Sequence, residues 1–188
     1  LVENAIDAKA KNIRVELLDA GKKSIRVIDD GIGMDEEDAK NCFSRHATSK
    51  IYKDDDLFFI NTLGFRGEAL PSIASVSEIV METYDGVAGT LLHIKGGKVL
   101  KTGVAPSRQG TVMTVTNLFF NTPARLKYLK SEPAELAGVS SFIEKLGFSY
   151  PDIAFVLVNN GNVVVRTSGS GVLLKAIHEI MGNSISSN

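Results

Sequence analysis

Apolar and polar residues alternate over several short stretches of this 188-residue chain, at the period-two spacing of half-buried strands. The spacing predicts strands near 13–18, 24–29, 77–84, 88–95, 98–104 and 111–117, with Gly96-Gly97 as the turn between two of them. Two more, 153–158 and 162–166, are joined through Asn159-Asn160-Gly161. Helical spacing occurs in four places. Leu1, Val2, Ala5, Ile6 and Ala8 repeat along the opening segment, and a helix over 35–43 starts with Asp35-Glu36-Glu37, charges its N-terminus favours. A third begins at Pro133, lines one face with Leu136, Val139, Phe142, Ile143 and Leu146, and ends at Gly147. The last, about 172–181, is expected to bury Leu173, Ile177 and Ile180 and to leave His178 at the surface. Consecutive hairpins with helices between them predict an α/β two-layer sandwich, a mixed, largely antiparallel sheet with helices on one face. No repeat, low-complexity tract or linker divides the chain, so 1–188 reads as a single domain.

Composition changes this picture little. A hydrophobic content of 44% suits one domain with a substantial core, and a net charge of −1 does not advertise nucleic-acid binding. Cys42 is the only cysteine, which excludes an internal disulfide and suits a small buried hydrophobe on the 35–43 helix. Neither an apolar run of about 18 residues nor a signal peptide is present, so an intracellular, soluble protein is expected. A chain that opens inside a helix without Met, and trails off through Gly182-Asn183-Ser184, reads as part of a longer protein.

Four segments carry candidate chemistry. In Gly64-Phe65-Arg66-Gly67-Glu68-Ala69-Leu70, glycines let the backbone approach a ligand. The helix start that follows offers free N–H groups, and Arg66 adds a fork of donors suited to phosphate. Taken alone, the segment reads equally as a turn before a buried helix. The strand 24–29 ends at Asp29 and runs into Gly31-Ile32-Gly33; a carboxylate there can read an exocyclic amino group, although Asp-Asp-Gly is also a common turn. Asn4, one turn before Ala8 on the opening helix, offers an amide oxygen suited to Mg²⁺, or is an ordinary polar helix residue. Arg45-His46-Ala47-Thr48-Ser49-Lys50 places hydroxyls and a lysine where a lid could close over a ribose and phosphates, or is a solvated loop.

In this order the segments resemble the nucleotide-binding domain shared by type II topoisomerases, ninety-kilodalton heat-shock chaperones, histidine kinases and MutL. Within that group the wording is similar to the MutL mismatch-repair family. The marks are His46-Ala47-Thr48-Ser49-Lys50, residues 64–70, and Asn117-Leu118-Phe119-Phe120-Asn121-Thr122-Pro123-Ala124-Arg125. The resemblance implies the Bergerat-type ATP-binding fold, with ATP and Mg²⁺ as cofactors. It assigns Asn4 to the metal, Asp29 to adenine, and Gly31 and Gly33 to the border of the base. Thr48, Ser49 and Lys50 then belong to the lid, Phe65, Arg66, Gly67 and Glu68 to the phosphate loop, and Thr111 to support of the adenine site.

The family's general base, a glutamate four residues before the metal-binding asparagine, would precede Leu1. Glu3 points about 100° away around the helix, and Glu68 belongs to the phosphate loop, so no catalytic residue is assigned. The resemblance then implies an ATPase family but turnover by this chain reduced about 10²–10⁴-fold; ordinary turnover would contradict it. For the longer protein it implies a homodimer formed on ATP binding, a switch coupling mismatch recognition by a MutS-like partner to strand incision in a bacterial cytoplasm. This chain alone is expected to be a weakly binding monomer. Contact with DNA through Arg125, Lys127 and Lys130 is expected to be weak or nil. Two other classes fit the same residues: a histidine-kinase ATP domain, disfavoured by residues 48–50 and 117–125, and a non-catalytic interaction module, which predicts no ATP binding.

Overall fold

The computed structural model describes residues 1–44 and 69–185. Eight strands form one sheet: β1 (Asn12–Leu18), β2 (Ser24–Asp29), β3 (Glu78–Tyr84), β4 (Gly89–Lys95), β5 (Lys98–Val104), β6 (Gly110–Thr116), β7 (Ala154–Asn159) and β8 (Asn162–Arg166). Their order is β5-β4-β3-β6-β2-β1-β7-β8. Consecutive strands β3, β4 and β5 form a meander, and β6 returns beside β3, which is the Greek-key order. Among the described residues only β1 and β7 pair in parallel, Asn12 opposite Ala154 and Leu17 opposite Asn159; the other pairings there are antiparallel. The sheet is therefore mixed and largely antiparallel, as the hairpin pattern predicts.

Side-chain alternation puts the helices on one face. Ile13, Val15 and Leu17 of β1 stand level with Phe155 and Leu157 of β7 and with Val27 of β2, and all are buried. Helices α1 (Val2–Asp7), α5 (Glu132–Ser149) and α6 (Leu173–Ile185) close over them. A second cluster, Ile79, Met81, Leu92, Ile94, Met113 and Val115, lies on the same side under α2 (Glu36–Asn41) and α3 (Ala69–Ser75). A short helix, α4 (Pro123–Leu126), follows the loop after β6. Asp35 caps α2, its carboxylate accepting from the Asp38 N–H at 2.8 Å.

On the opposite face Glu78 accepts from His93 Nε2 at 2.8 Å, Lys95 Nζ at 3.1 Å and Asn117 Nδ2 at 3.1 Å. These partners, His93 foremost, hold its carboxyl down to about 2.

Four local expectations change. Gly147 does not end α5, which runs on to Ser149; instead it lets α6 close in, since a Cβ there would lie 3.1 Å from Ile180 Cδ1. Phe142 on α5 is 43% exposed because the buried stripe is narrow, confined to Ile143, Leu146 and Gly147. On α6 the buried residues are Ala176 and Ile180, one turn apart; Leu173 is 47% exposed because the first turn projects free of the layer beneath. Cys42 follows α2 rather than lying on it, packs against the second cluster, and has its thiol pushed up to about 12 by burial.

Candidate functional site

β2 alternates Ile25, Val27, Asp29 toward the core, so its last inward position carries a carboxylate. Asp29 is only 6% exposed. Its Oδ1 accepts from Gly31 N at 2.9 Å and from Thr111 N, on β6, at 3.2 Å. Oδ2 has no donor among the described residues. Burial pushes this carboxyl above the usual range; the two N–H groups and the nearby Arg108 charge pull it back without overcoming the desolvation, and Asp30 opposes them.

The turn after Asp29 is fitted against its neighbours. Ile32 N donates to Ala8 O at 3.0 Å, and a Cβ at Gly31 would fall 2.8 Å from the Ala8 Cβ. The end of α1 and the glycine turn are thus in direct contact. Gly33 takes φ +71°, and a Cβ there would sit 1.9 Å from Tyr84 O, so glycine is required at that place. Met34 N then donates to Thr83 Oγ1 at 2.9 Å, which in turn pairs with Thr111 Oγ1 at 3.0 Å. Asp30 points the other way. Its carboxylate accepts from the Lys11 and Asn12 amides at 2.8 Å each and from Asn12 Nδ2 at 2.7 Å. Burial works against its charge, but the Asn12 and Lys11 donors outweigh it and hold the carboxyl below the usual range.

The structure therefore brings Asp29, Gly31, Gly33 and Thr111 to one corner, beside the C-terminal end of α1. Asn4 lies one turn before Ala8 on that helix, half-buried, with no side-chain hydrogen bond among the described residues. Thr48, Ser49, Lys50, Phe65, Arg66, Gly67 and Glu68 fall outside the described residues. Arg125, Lys127 and Lys130 are exposed in and after α4.

Sequence reasoning missed Asp30, Thr83, Arg108 and Gln109. Arg108 Nη2 donates to Asp29 O at 3.2 Å and Gln109 Nε2 to Gly31 O at 2.7 Å. A signal existed for Thr83 alone, a polar residue at an inward position of the otherwise apolar series Ile79, Met81.

A buried carboxylate with one oxygen lacking a donor among the described residues, beside glycines at 31 and 33, suits a flat base bearing an amino group. The chain belongs to the family of histidine kinase-, DNA gyrase B- and HSP90-like ATPases, which matches residues 1–101. Within that class its sequence is similar to MutL along nearly its whole length. The DNA mismatch repair protein MutL of Lactiplantibacillus plantarum is 53% identical over 182 residues, 97% of this chain and 27% of that protein. MutL of Listeria monocytogenes serotype 4b (strain F2365) is 50% identical over 186 residues, 98% of this chain and 31% of that protein. The chain thus spans about a quarter to a third of the curated relatives' length. Among solved structures, the Aquifex aeolicus MutL ATPase domain complexed with ADP superposes with a TM-score of 0.76 at 29% identity, covering 96% of this chain and 65% of that one. The N-terminal domain of a DNA repair protein gives 0.80 at 27% identity, over 95% of this chain and 53% of that one. The MutL resemblance and the mixed-sheet ATPase fold expected from the sequence both hold. Among the described residues, no helix is long and apolar enough to cross a membrane.

Proposed function

We propose that residues 1–188 act as one ATP-binding domain of a MutL-type mismatch-repair protein. Asp29 accepts a hydrogen bond from the adenine amino group, and Gly31 and Gly33 leave room for the face of the base. Thr111 holds the carboxylate from β6. Asn4 supplies an amide oxygen to Mg²⁺, an oxygen-seeking ion that usually keeps waters and phosphate oxygens as its other ligands. Residues 48–50 serve as lid, and 65–68 hold the phosphates. When bound, ATP supplies the phosphate charge around which such segments order.

In the longer protein this ordering brings two protomers together and links a MutS-like mismatch-recognition partner to strand incision, in a bacterial cytoplasm. DNA contact by this domain alone is weak. The observation that carries the reading is the buried Asp29 carboxylate with Oδ2 lacking a donor among the described residues, followed by glycines at 31 and 33 that pack directly on Ala8 and on the Tyr84 carbonyl.

Calorimetric titration with a non-hydrolysable ATP analogue, with and without Mg²⁺, tests it. Asp29→Ala is expected to weaken binding about 10- to 100-fold, the worth of a hydrogen bond to a charged group. Equal binding by Asp29→Ala would refute the assignment.

A further inference from the structure

Four consecutive residues, Arg108 to Thr111, each hold the turn that follows β2. Arg108 donates to the Asp29 carbonyl at 3.2 Å and Gln109 to the Gly31 carbonyl at 2.7 Å. Gly110, at φ +90°, lies so close that a Cβ would fall 2.1 Å from Asp29 O. Thr111 N reaches Asp29 Oδ1 at 3.2 Å. The first two act through long side chains that are otherwise solvent-exposed. Such side chains lose conformational freedom when fixed, so the contact must return something to persist.

We infer that Arg108 and Gln109 are positioning residues of the base pocket: they fix the Asp29–Gly31 turn from outside and so set how strongly, and how selectively, it takes an adenine base. The inference rests on the nucleotide-binding reading given above. Its physical content is direction. Gly31 N, in the Asp30–Gly31 peptide, donates to Asp29 Oδ1 and so helps to set where Oδ2 points. Gln109 holds the next peptide, at the Gly31 carbonyl, and so limits rotation about the glycine between the two. If that grip is lost, the carboxylate can swing, and a site that discriminates by one aimed acceptor loses selectivity along with affinity.

Arg108 adds a second effect, through charge. The charged groups beside Asp29 are Arg108, which favours its ionised form, and Asp30, which opposes it. The other neighbours, Ala8 just after α1, Ile13 of β1 and Thr111 of β6, do not titrate. A carboxylate must be ionised to accept from an amino group with both oxygens available. Removing Arg108 therefore moves the acid limb of nucleotide binding to higher pH.

The experiment is calorimetric titration of the 188-residue chain and its variants with non-hydrolysable ATP and GTP analogues, from neutral pH downward through the acid limb of binding. Gln109→Ala is expected to bind the ATP analogue about three- to tenfold more weakly, and to prefer it over the GTP analogue by a smaller factor, with an unchanged pH profile. Arg108→Met is expected to shift the acid limb upward, and Arg108→Lys to restore it. A merely structural role would lower the melting temperature without moving the selectivity ratio or the pH limb, so circular-dichroism melts accompany each variant. Unchanged selectivity in Gln109→Ala together with an unshifted limb in Arg108→Met would overturn the inference. Absence of binding by the unaltered chain would overturn the pocket itself, and the inference with it.

Discussion

Replacing Gly33 by alanine is expected to be among the most damaging single changes in the site, and the structure supplies its own control. The new Cβ would lie 1.9 Å from Tyr84 O and 2.6 Å from Tyr84 C, both backbone atoms that no rotamer change can move. The turn would have to retreat by roughly 1–2 Å to reach ordinary contact. Retreat pulls Met34 N from Thr83 Oγ1, now 2.9 Å away, stranding a half-buried donor at about 1–3 kcal/mol. The left-handed backbone at φ +71° adds about 1–2 kcal/mol for any side chain. The sum is about 2–5 kcal/mol, a large part of a typical domain's 5–15 kcal/mol.

Gly86 has φ +97° and nothing within 4 Å of its Cβ position, so Gly86→Ala incurs only the conformational part, about 1–2 kcal/mol. Urea unfolding of both variants isolates the steric part as their difference. With a slope of about 2 kcal/mol per molar, Gly33→Ala should unfold about 0.5–1.5 M earlier than Gly86→Ala. Equal midpoints would refute the claim that the Tyr84 carbonyl closes off this position.

The Glu78 cluster makes a pH-dependent prediction. Its carboxyl is held at about 2 instead of 4.5, so its stabilising contribution is present in full above pH 4.5 and fades as pH falls toward 2. Because the cluster lies near solvent, Glu78→Gln should cost at most about 1 kcal/mol at neutral pH and progressively less as pH falls toward 2, read from urea midpoints across pH; a constant cost at all pH values would contradict it. Cys42, its thiol pushed up to about 12, should react slowly with a disulfide reagent at pH 8 in the folded protein and at once in urea. Rapid labelling of the native chain would show that the thiol is not shielded.

The eight strands were legible because several, β1, β3 and β4 among them, alternate and most are bounded by turn residues; Asn160 and Gly161, at φ +49° and +83°, form the tight turn their sequence announces. Asp29, Gly31 and Gly33 were legible as a group because they are contiguous. Thr111 was legible by resemblance alone, since its contact with Asp29 spans 82 residues. Long-range partners leave no local trace. The Thr83 hydroxyl meeting Thr111, Asp30 clasping Asn12 and Gln109 reaching Gly31 are set by which strands lie side by side, and the parallel pairing of β1 with β7 could not be read from either strand. Gly147, Phe142 and Leu173 were misjudged for a related reason. Periodicity shows that a helix has an apolar face, but how wide a strip is covered depends on the neighbouring helix.

The strand order has a consequence for how the molecule is made. β3 to β6 come from one continuous stretch, 78–116, whereas the neighbouring half of the sheet joins β1 and β2 from the start of the chain to β7 and β8 from its end. Contacts close in sequence are quick to form, and those spanning most of the chain must wait for loop closure. The Greek key can therefore assemble early, while β1 stays without its parallel neighbour until residues 154–159 arrive. Asp29 belongs to the late half and Thr111 to the early one. The corner between them comes into being only when the β1–β2 hairpin docks on β6, so in a refolding chain the capacity to hold a base would report directly that the start of the chain has met the Greek key.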